Sequence, residues 1–346
     1  MAFVIHAPNV HQGGGKSLLL SVLKAINHSA YAQVVIDSRM VIPENLSNQI
    51  SVLKVKPNIV SRLKAEWDLR RKIKAGDTVL RFGNLPPLFK LKAKVYVFVQ
   101  NRYLIDKVKP KKFPLSVKVR LIFERLWLAW RSEASYQFIV QTPTMQRIMR
   151  DTLGINPIVL TLVDDTIAIN KHTDKNRKRL PVKYDFLYVA SGDPNKNHRR
   201  LIEAWCLLAE EGVKPSLCLT LSRKVAPELS GWIIEKRDAH DMNIDLIGSI
   251  SYSKVKNLYS QARALIYPST LESMGLPLIE AKSVDLPILA SELDFVRDLV
   301  NPDQTFDPYS AVSIARAVKR FLGIGEPHTS LVDGSRFLQW IISQSR

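Results

Sequence analysis

Short apolar runs rich in β-branched residues alternate along this chain with longer stretches in which apolar positions recur every three or four residues. In the first half, strand-like runs are AFVIHA (2–7), QVVID (33–37), TVLRF (78–82), KVYVFVQ (94–100), YQFIVQ (136–141) and PIVLTLV (157–163). Helical periods fill the intervals over 16–27, 58–74, 117–133 and 143–152. The pattern then breaks at NKHTDKNRKRL (170–180), which is charged and has no apolar period. It resumes with YDFLYVAS (184–191), SLCLTL (216–221), NIDLIG (243–248), ALIYPS (264–269) and LPILAS (286–291), with helices expected over 198–211, 226–239, 252–262, 276–284 and 308–322. Strands alternating with helices build parallel sheets. The expectation is therefore an α/β protein of two tandem units, 1–168 and 181–325, joined by a linker over 169–180 and followed by an amphipathic tail over 326–346.

Composition narrows the class. A chain of 346 residues, 46% hydrophobic, can bury two sizeable cores. Its 50 basic against 32 acidic residues give a net charge of +18, which favours an anionic partner: a phosphate-rich substrate, an acidic membrane surface or nucleic acid. Charge alone does not choose among them. Two cysteines, Cys206 and Cys218, have neither metal-ligand spacing nor a disulfide framework, which fits a reducing cytosol. The opening MAFVIHAPNV lacks a signal-peptide pattern and no run of about 20 apolar residues occurs, so a cytoplasmic protein is expected.

Chemistry is suggested at two places. HQGGGKSLLL (11–20) looks like a phosphate-cradling Walker loop, but the glycine required five positions before Gly15 is Val10. The segment ALIYPSTLESMGLPLIEAKSVDLPILAS (264–291) reads strand, loop, helix, loop, strand. Pro277 suits the first helical turn, Gly275 permits close backbone approach, and the free amides of that turn attract anions. Glu272 and Glu280 bracket the turn. A phosphate on the amides with a hydroxyl on each carboxylate suits a nucleotide-sugar. Taken alone, the two glutamates read better as a solvated loop residue, Glu272, and a partner of the helix dipole, Glu280.

Over nearly thirty residues this segment resembles the donor site of the retaining, GT-B-fold glycosyltransferases of family 4. The family's fold implies two Rossmann-like domains whose parallel sheets face a cleft, with the C-terminal helix returning to the first domain. FLYVASGDPNKNHRRLIEAWCLLAEEG (186–212) resembles the first strand, loop and helix of the donor domain, with Lys196 at the position of a diphosphate-binding lysine. Ser191 stands where the family carries an arginine; Arg199, Arg200 and Arg223 are candidates to supply that charge. Gly248 corresponds to the base pocket, and Gly13, Gly14 and Gly15, with Lys16, to the glycine-rich turn facing the donor phosphates. The resemblance implies a donor site of Gly14, Gly15, Ser191, Lys196, Arg223, Gly248, Glu272, Ser273, Met274, Gly275, Leu276 and Glu280. Glu272 would position the sugar, Glu280 the ribose, and Lys196 with the 274–276 amides the diphosphate of a UDP- or GDP-sugar. No Asp-x-Asp accompanies these segments and no cluster has metal spacing, so no metal or other cofactor is expected.

Acceptor recognition is expected in the first unit. His11, Asn101 and Arg102, beside Gln100, fall at the expected mouth of the cleft, and lysines and the aromatic residues Phe123, Trp127 and Trp130 follow. Basic residues beside aromatics suit an anionic bilayer and a lipid-linked glycan acceptor; the apolar character nearly all round 117–133 suits a buried helix instead. His6 and His198 read as structural. The family resemblance implies bacterial surface polysaccharide synthesis. The alternatives are a P-loop-like kinase or ATPase, a sugar-phosphate synthase or phosphorylase on the same fold, and a basic nucleic-acid-binding protein. The last is disfavoured because the charge is spread over the whole chain.

Overall fold

The computed structural model describes residues 2–26, 32–43, 51–108, 110, 113–163 and 181–325. The expected linker (169–180), the tail (326–346) and part of the lysine run lie outside these residues. In the first unit the strands are β1 (Phe3–Ala7), β2 (Ala32–Asp37), β3 (Ser51–Val55), β4 (Thr78–Arg81), β5 (Lys94–Phe98), β6 (Gln137–Val140) and β7 (Ile158–Val159). In the second they are β8 (Tyr184–Tyr188), β9 (Leu217–Leu219), β10 (Ile244–Leu246), β11 (Ala262–Tyr267), β12 (Ile288–Ser291) and β13 (Gln304–Phe306). Two sheets result, ordered β3-β2-β1-β4-β5-β6-β7 and β10-β9-β8-β11-β12-β13. Every neighbouring pair is parallel. Central strands such as β12, ILAS, are buried on both faces because helices cover the sheet on each side.

Each order reverses direction once, between β1 and β4 in the first sheet and between β8 and β11 in the second. The loops leaving the two strands at such a point diverge, and the crevice between their carboxyl ends is where open α/β sheets bind ligands. The two crevices meet. Leu276 of the second unit packs against the first unit's core of Ile5, Leu19 and Phe98. Asp298 accepts a hydrogen bond from the amide of Thr144 at 2.9 Å, at the start of the Pro143–Leu153 helix, and Arg147 of that helix pairs with Asp294.

Three expectations are corrected. The glycine-rich stretch is no loop: the helix begins at Gly13 and runs to Lys24, so Gly13 to Gly15 form its first turn, behind Gln12. Two strands went unrecognised, β3 and β13, both at sheet edges where burial is incomplete and the apolar run correspondingly weak. The Leu115–Arg131 helix is not wrapped in the core. Only Leu121 and Leu128 are buried, and Trp130 is 75% exposed.

Two histidines are locked inside. His6 on β1 is wholly buried beside Arg81, which also pairs with buried Glu66 at 2.7 Å and ties the Ile59–Lys72 helix to the sheet. Burial, then the Arg81 charge, hold His6 well below its ordinary value. His198 stacks on Tyr188 with ring centroids 4.9 Å apart, and neither of its nitrogens finds a hydrogen-bond partner among the described residues. Burial, then the Lys196 charge, lower it to about 3. Both rings are neutral in the fold, whereas the unfolded chain protonates near pH 6.5. Stability is therefore complete above that pH and is lost as pH falls below it toward the folded values, by at most about 1.4 kcal/mol per unit for each histidine. Melting temperatures of wild type and His198→Phe between pH 7.5 and 5 check this: the variant should show the shallower decline, and equal slopes would refute the assignment.

Candidate active site

The second switch point assembles the chemistry expected of 186–212 and 264–291 from two loops. After β8 the chain passes Gly192, where a Cβ would lie 3.1 Å from Leu221 Cδ1, and makes a turn at Pro194–Lys196. Asn195 and Asn197 stitch this turn to the loop after β11. The Asn195 side-chain amide donates to Leu271 O at 2.8 Å, and that of Asn197 to Pro268 O at 3.1 Å and Pro308 O at 2.7 Å. Held in this way, Lys196 Nζ lies 2.6 Å from Glu272 Oε1 with both side chains largely enclosed. The Tyr188 hydroxyl donates to Lys196 O at 2.6 Å and fixes the turn from beneath.

From Glu272 the chain runs through Ser273 and buried Met274 to Gly275, whose φ of 81° sets the start of the Leu276–Ser283 helix. That left-handed conformation costs other residues roughly 1–2 kcal/mol. A Cβ there would also stand 3.1 Å from Leu278 Cδ1. Gly275→Ala is thus expected to lose about 1–2 kcal/mol in urea denaturation, and an unchanged midpoint would show that the turn is not under this constraint. Farther along the helix, Glu280 Oε2 accepts from the hydroxyl of buried Tyr259 at 2.6 Å.

The first unit closes the other side. A Cβ on Gly14 would lie 3.0 Å from Leu276 Cδ1, and one on Gly15 3.5 Å from Gln100 Oε1, so the glycines let the first helical turn approach both. Thr142 Oγ1 donates to Ser273 O at 3.4 Å. A residue not singled out from sequence, Tyr103, faces the same carboxylates across the cleft: burial, then the charges of Glu272 and Asp193, push its hydroxyl up to about 12. Burial first, with Glu272 adding, also raises Tyr188 and Tyr267 well above the ordinary value. Glu272 is thereby surrounded by one ammonium and by hydroxyls that stay protonated.

Other nominated residues fall as follows. Ser191 is exposed and its hydroxyl donates to Asp193 at 2.6 Å. Arg223 is exposed in the turn after β9, and Gly248, with φ 77°, follows β10. Arg199 lies over the Trp232 ring at 4.7 Å and Arg200 pairs with Glu203, so both are already engaged. In the first unit Asn101 Oδ1 accepts from Tyr103 N and Arg102 pairs with Asp106 at 2.8 Å, a local turn rather than free groups. His11 is grouped elsewhere, near Asp37 at the end of β2. Among the described residues no three His, Cys, Asp or Glu side chains gather as a metal site.

A profile of the glycosyl transferases group 1 family matches residues 170–336, the part of the chain that carries Lys196, Glu272 and Glu280. Residues 170–336 thus carry a glycosyl transferases group 1 domain. The transferase is 20% identical over 305 residues to the O-antigen chain mannosyltransferase RfbU of Salmonella typhimurium, covering 85% of this chain and 82% of that protein. It is 30% identical over 115 residues to O-antigen chain mannosyltransferase B of Escherichia coli, and that stretch spans 33% of this chain but only 30% of the relative's length. Among solved structures the transferase superposes on Anabaena HepE, determined in complex with UDP and glucose, with a TM-score of 0.68 at 13% identity over 93% of this chain and 90% of that one. WaaG, a glycosyltransferase involved in lipopolysaccharide biosynthesis, gives a TM-score of 0.63 at 14% identity over the same shares. At such identity the likeness establishes the fold, GT-B.

Proposed function

We propose that the transferase moves a hexose, mannose in the first instance, from a nucleoside-diphosphate sugar to a hydroxyl of a glycan or lipid-linked acceptor in surface polysaccharide assembly, with retention of anomeric configuration. The observation that carries this is the Lys196–Glu272 pair at 2.6 Å, set beside a helix start where the two switch points meet. Lys196 and the amides of 274–276 bind the diphosphate, an arrangement that stabilises charge on a leaving group by fixed dipoles and needs no metal. Glu272 orients the sugar hydroxyls, Glu280 the ribose, and the backbone near Gly248 the base. The acceptor oxygen attacks the anomeric carbon on the face the diphosphate leaves; the bond from that carbon to the phosphate oxygen breaks, and the departing phosphate takes the acceptor's proton. His11, Asn101 and Arg102 lie on the acceptor side.

The choice of mannose rests on the mannosyltransferase relatives. A lipid-linked acceptor and a peripheral place on the inner face of the cell membrane are supported by the Leu115–Arg131 helix, which exposes Leu115, Val119, Ile122, Phe123, Leu126 and Trp130 on a chain of net charge +18. No helix among the described residues is long and apolar enough to cross a membrane. A panel of GDP, UDP, ADP and their sugar conjugates, with and without EDTA, tests the proposal. One nucleoside diphosphate should stabilise the fold by about 2.7 kcal/mol at a hundred times its Kd, undiminished by EDTA, and its mannose conjugate should be consumed when acceptor is added. Stabilisation by ATP with magnesium alone would return the opening GGGKS to a P-loop role.

A further inference from the structure

The transferase has a second constellation of charge that the donor site does not use. Asp37 ends β2 and is wholly buried, yet two guanidiniums converge on it. Arg39 donates to it from Nε at 2.9 Å, Nη2 at 2.7 Å and its own amide at 3.0 Å, while Arg62 Nη2 lies 3.6 Å away. Those hydrogen bonds from Arg39 hold the Asp37 carboxyl below its usual range. The arginine side chains remain 46% and 41% exposed, so a hidden carboxylate positions two cations whose outer edges face solvent.

Their place in the fold is informative. Arg39 follows β2, Arg62 lies in the first turn of the helix after β3, and His11, near Asp37, lies in the turn after β1. All three are at the carboxyl ends of adjacent strands, the rim that reaches the second unit through Gly14 and Leu276. Lys56, exposed, follows β3 at this rim, and Glu124 of the neighbouring Leu115–Arg131 helix feels Arg62. With Arg120, which pairs with Glu124 at 3.8 Å, four cations stand against the two carboxylates Asp37 and Glu124, and positive charge is in excess. On the helix of Arg62, Ile59 and Val60 are 77% and 76% exposed, and on the helix of Glu124, Ile122, Phe123 and Leu126 are also exposed. The guanidiniums thus stand beside exposed apolar residues of the Arg62 helix, and the helix whose Glu124 feels Arg62 exposes others.

The geometry points to a phosphate-binding site for the acceptor at Arg39 and Arg62, with the acceptor's hydrocarbon chain lying along these exposed apolar residues. This rests on the acceptor being lipid-linked. Planar guanidiniums fixed by a buried carboxylate match phosphate oxygens in pairs. A sugar phosphate without a chain would leave Ile59, Val60 and Phe123 without a role, and a bilayer headgroup would not require cations fixed on the cleft side of the sheet.

Binding of dodecyl phosphate, below its micellar concentration, is to be measured by calorimetry with the donor site saturated by whichever nucleoside diphosphate binds. Wild type should bind it, inorganic phosphate should compete, and Arg39→Gln/Arg62→Gln should weaken it at least tenfold while nucleoside diphosphate affinity, which also reports an intact fold, is unchanged. Arg62→Gln alone, at the longer contact, should weaken it less. Phe123→Ser/Leu126→Ser should weaken dodecyl phosphate and leave inorganic phosphate competition as it was. Binding of dodecyl phosphate by the double arginine variant as tightly as by wild type overturns the site. So does equal weakening of nucleoside diphosphate, which would make the arginines donor residues. A third overturning result is loss confined to vesicles of phosphatidylcholine with phosphatidylglycerol, which would make them headgroup contacts. If no nucleoside diphosphate binds the wild type, the transferase proposal fails instead, a result read before dodecyl phosphate is added.

Discussion

Lys196→Met is expected to lower kcat/KM by about 10²–10³-fold, the usual cost of removing one preorganised group that stabilises developing charge, while the chain stays folded by circular dichroism. The size follows from how Lys196 is held. Its backbone is pinned by the Tyr188 hydroxyl, its turn is stitched to the loop after β11 by Asn195 and Asn197, and its ammonium is 2.6 Å from Glu272. The ammonium and carboxylate satisfy each other in this structure; under the proposed function the diphosphate would take up the one and sugar hydroxyls the other. A cation that meets negative charge developing on the leaving diphosphate is missed most in the transition state, so kcat should fall more than KM rises. Glu272→Gln should cost a similar factor, and because the two side chains touch, the double variant should lose much less than the product of the single losses. Losses that multiply, or a Lys196→Met enzyme with wild-type kcat, would remove the pair from the chemistry.

How much of this was legible in the sequence depends on what each residue needs in order to be recognised. Strands buried on both faces, such as β8 and β12, announce themselves as continuous apolar runs, whereas the edge strands β3 and β13 carry too little burial to do so. Glu272, Gly275, Pro277 and Glu280 are legible because one short stretch of chain sets their spacing. Tyr103, Tyr188 and Asn195 are not, since their part in the site comes from loops brought together by the strand order. Asp37 with Arg39 and Arg62 joins the end of one strand to the helix that follows the next, and nothing local marks the part of Arg62. The helical period of Leu115–Arg131 was readable, but which side stays uncovered depends on neighbours: Leu121 and Leu128 meet the sheet's core while Phe123 and Trp130 meet nothing comparable. The GGGKS stretch invited a phosphate loop, yet its glycines serve a different constraint, the closeness of Leu276 and Gln100.

Glu280→Gln is expected to weaken nucleoside diphosphate binding by about 10–100-fold, the range set by about 1.5–3 kcal/mol for hydrogen bonds to a charged group, and to abolish thermal stabilisation at ligand concentrations that saturate wild type. Glu280 sits on the Leu276–Ser283 helix, and its Oε2 is held at 2.6 Å by the hydroxyl of buried Tyr259, which aims the carboxylate without neutralising it. A carboxylate so aimed pairs with two vicinal hydroxyls, as on a ribose, better than an amide does, because both of its oxygens accept. The decisive comparison uses the ligand as well as the protein. A 2′-deoxynucleoside diphosphate should bind wild type about as weakly as the ribonucleotide binds Glu280→Gln, and removing both partners together should cost little more than removing either. Tyr259→Phe, which removes one hydrogen bond from the carboxylate, should give an intermediate loss with the same preference for ribose. If the deoxy analogue and the variant weaken binding by independent factors, Glu280 acts on nucleotide affinity through the helix rather than through the sugar, and the ribose must be held elsewhere in the cleft.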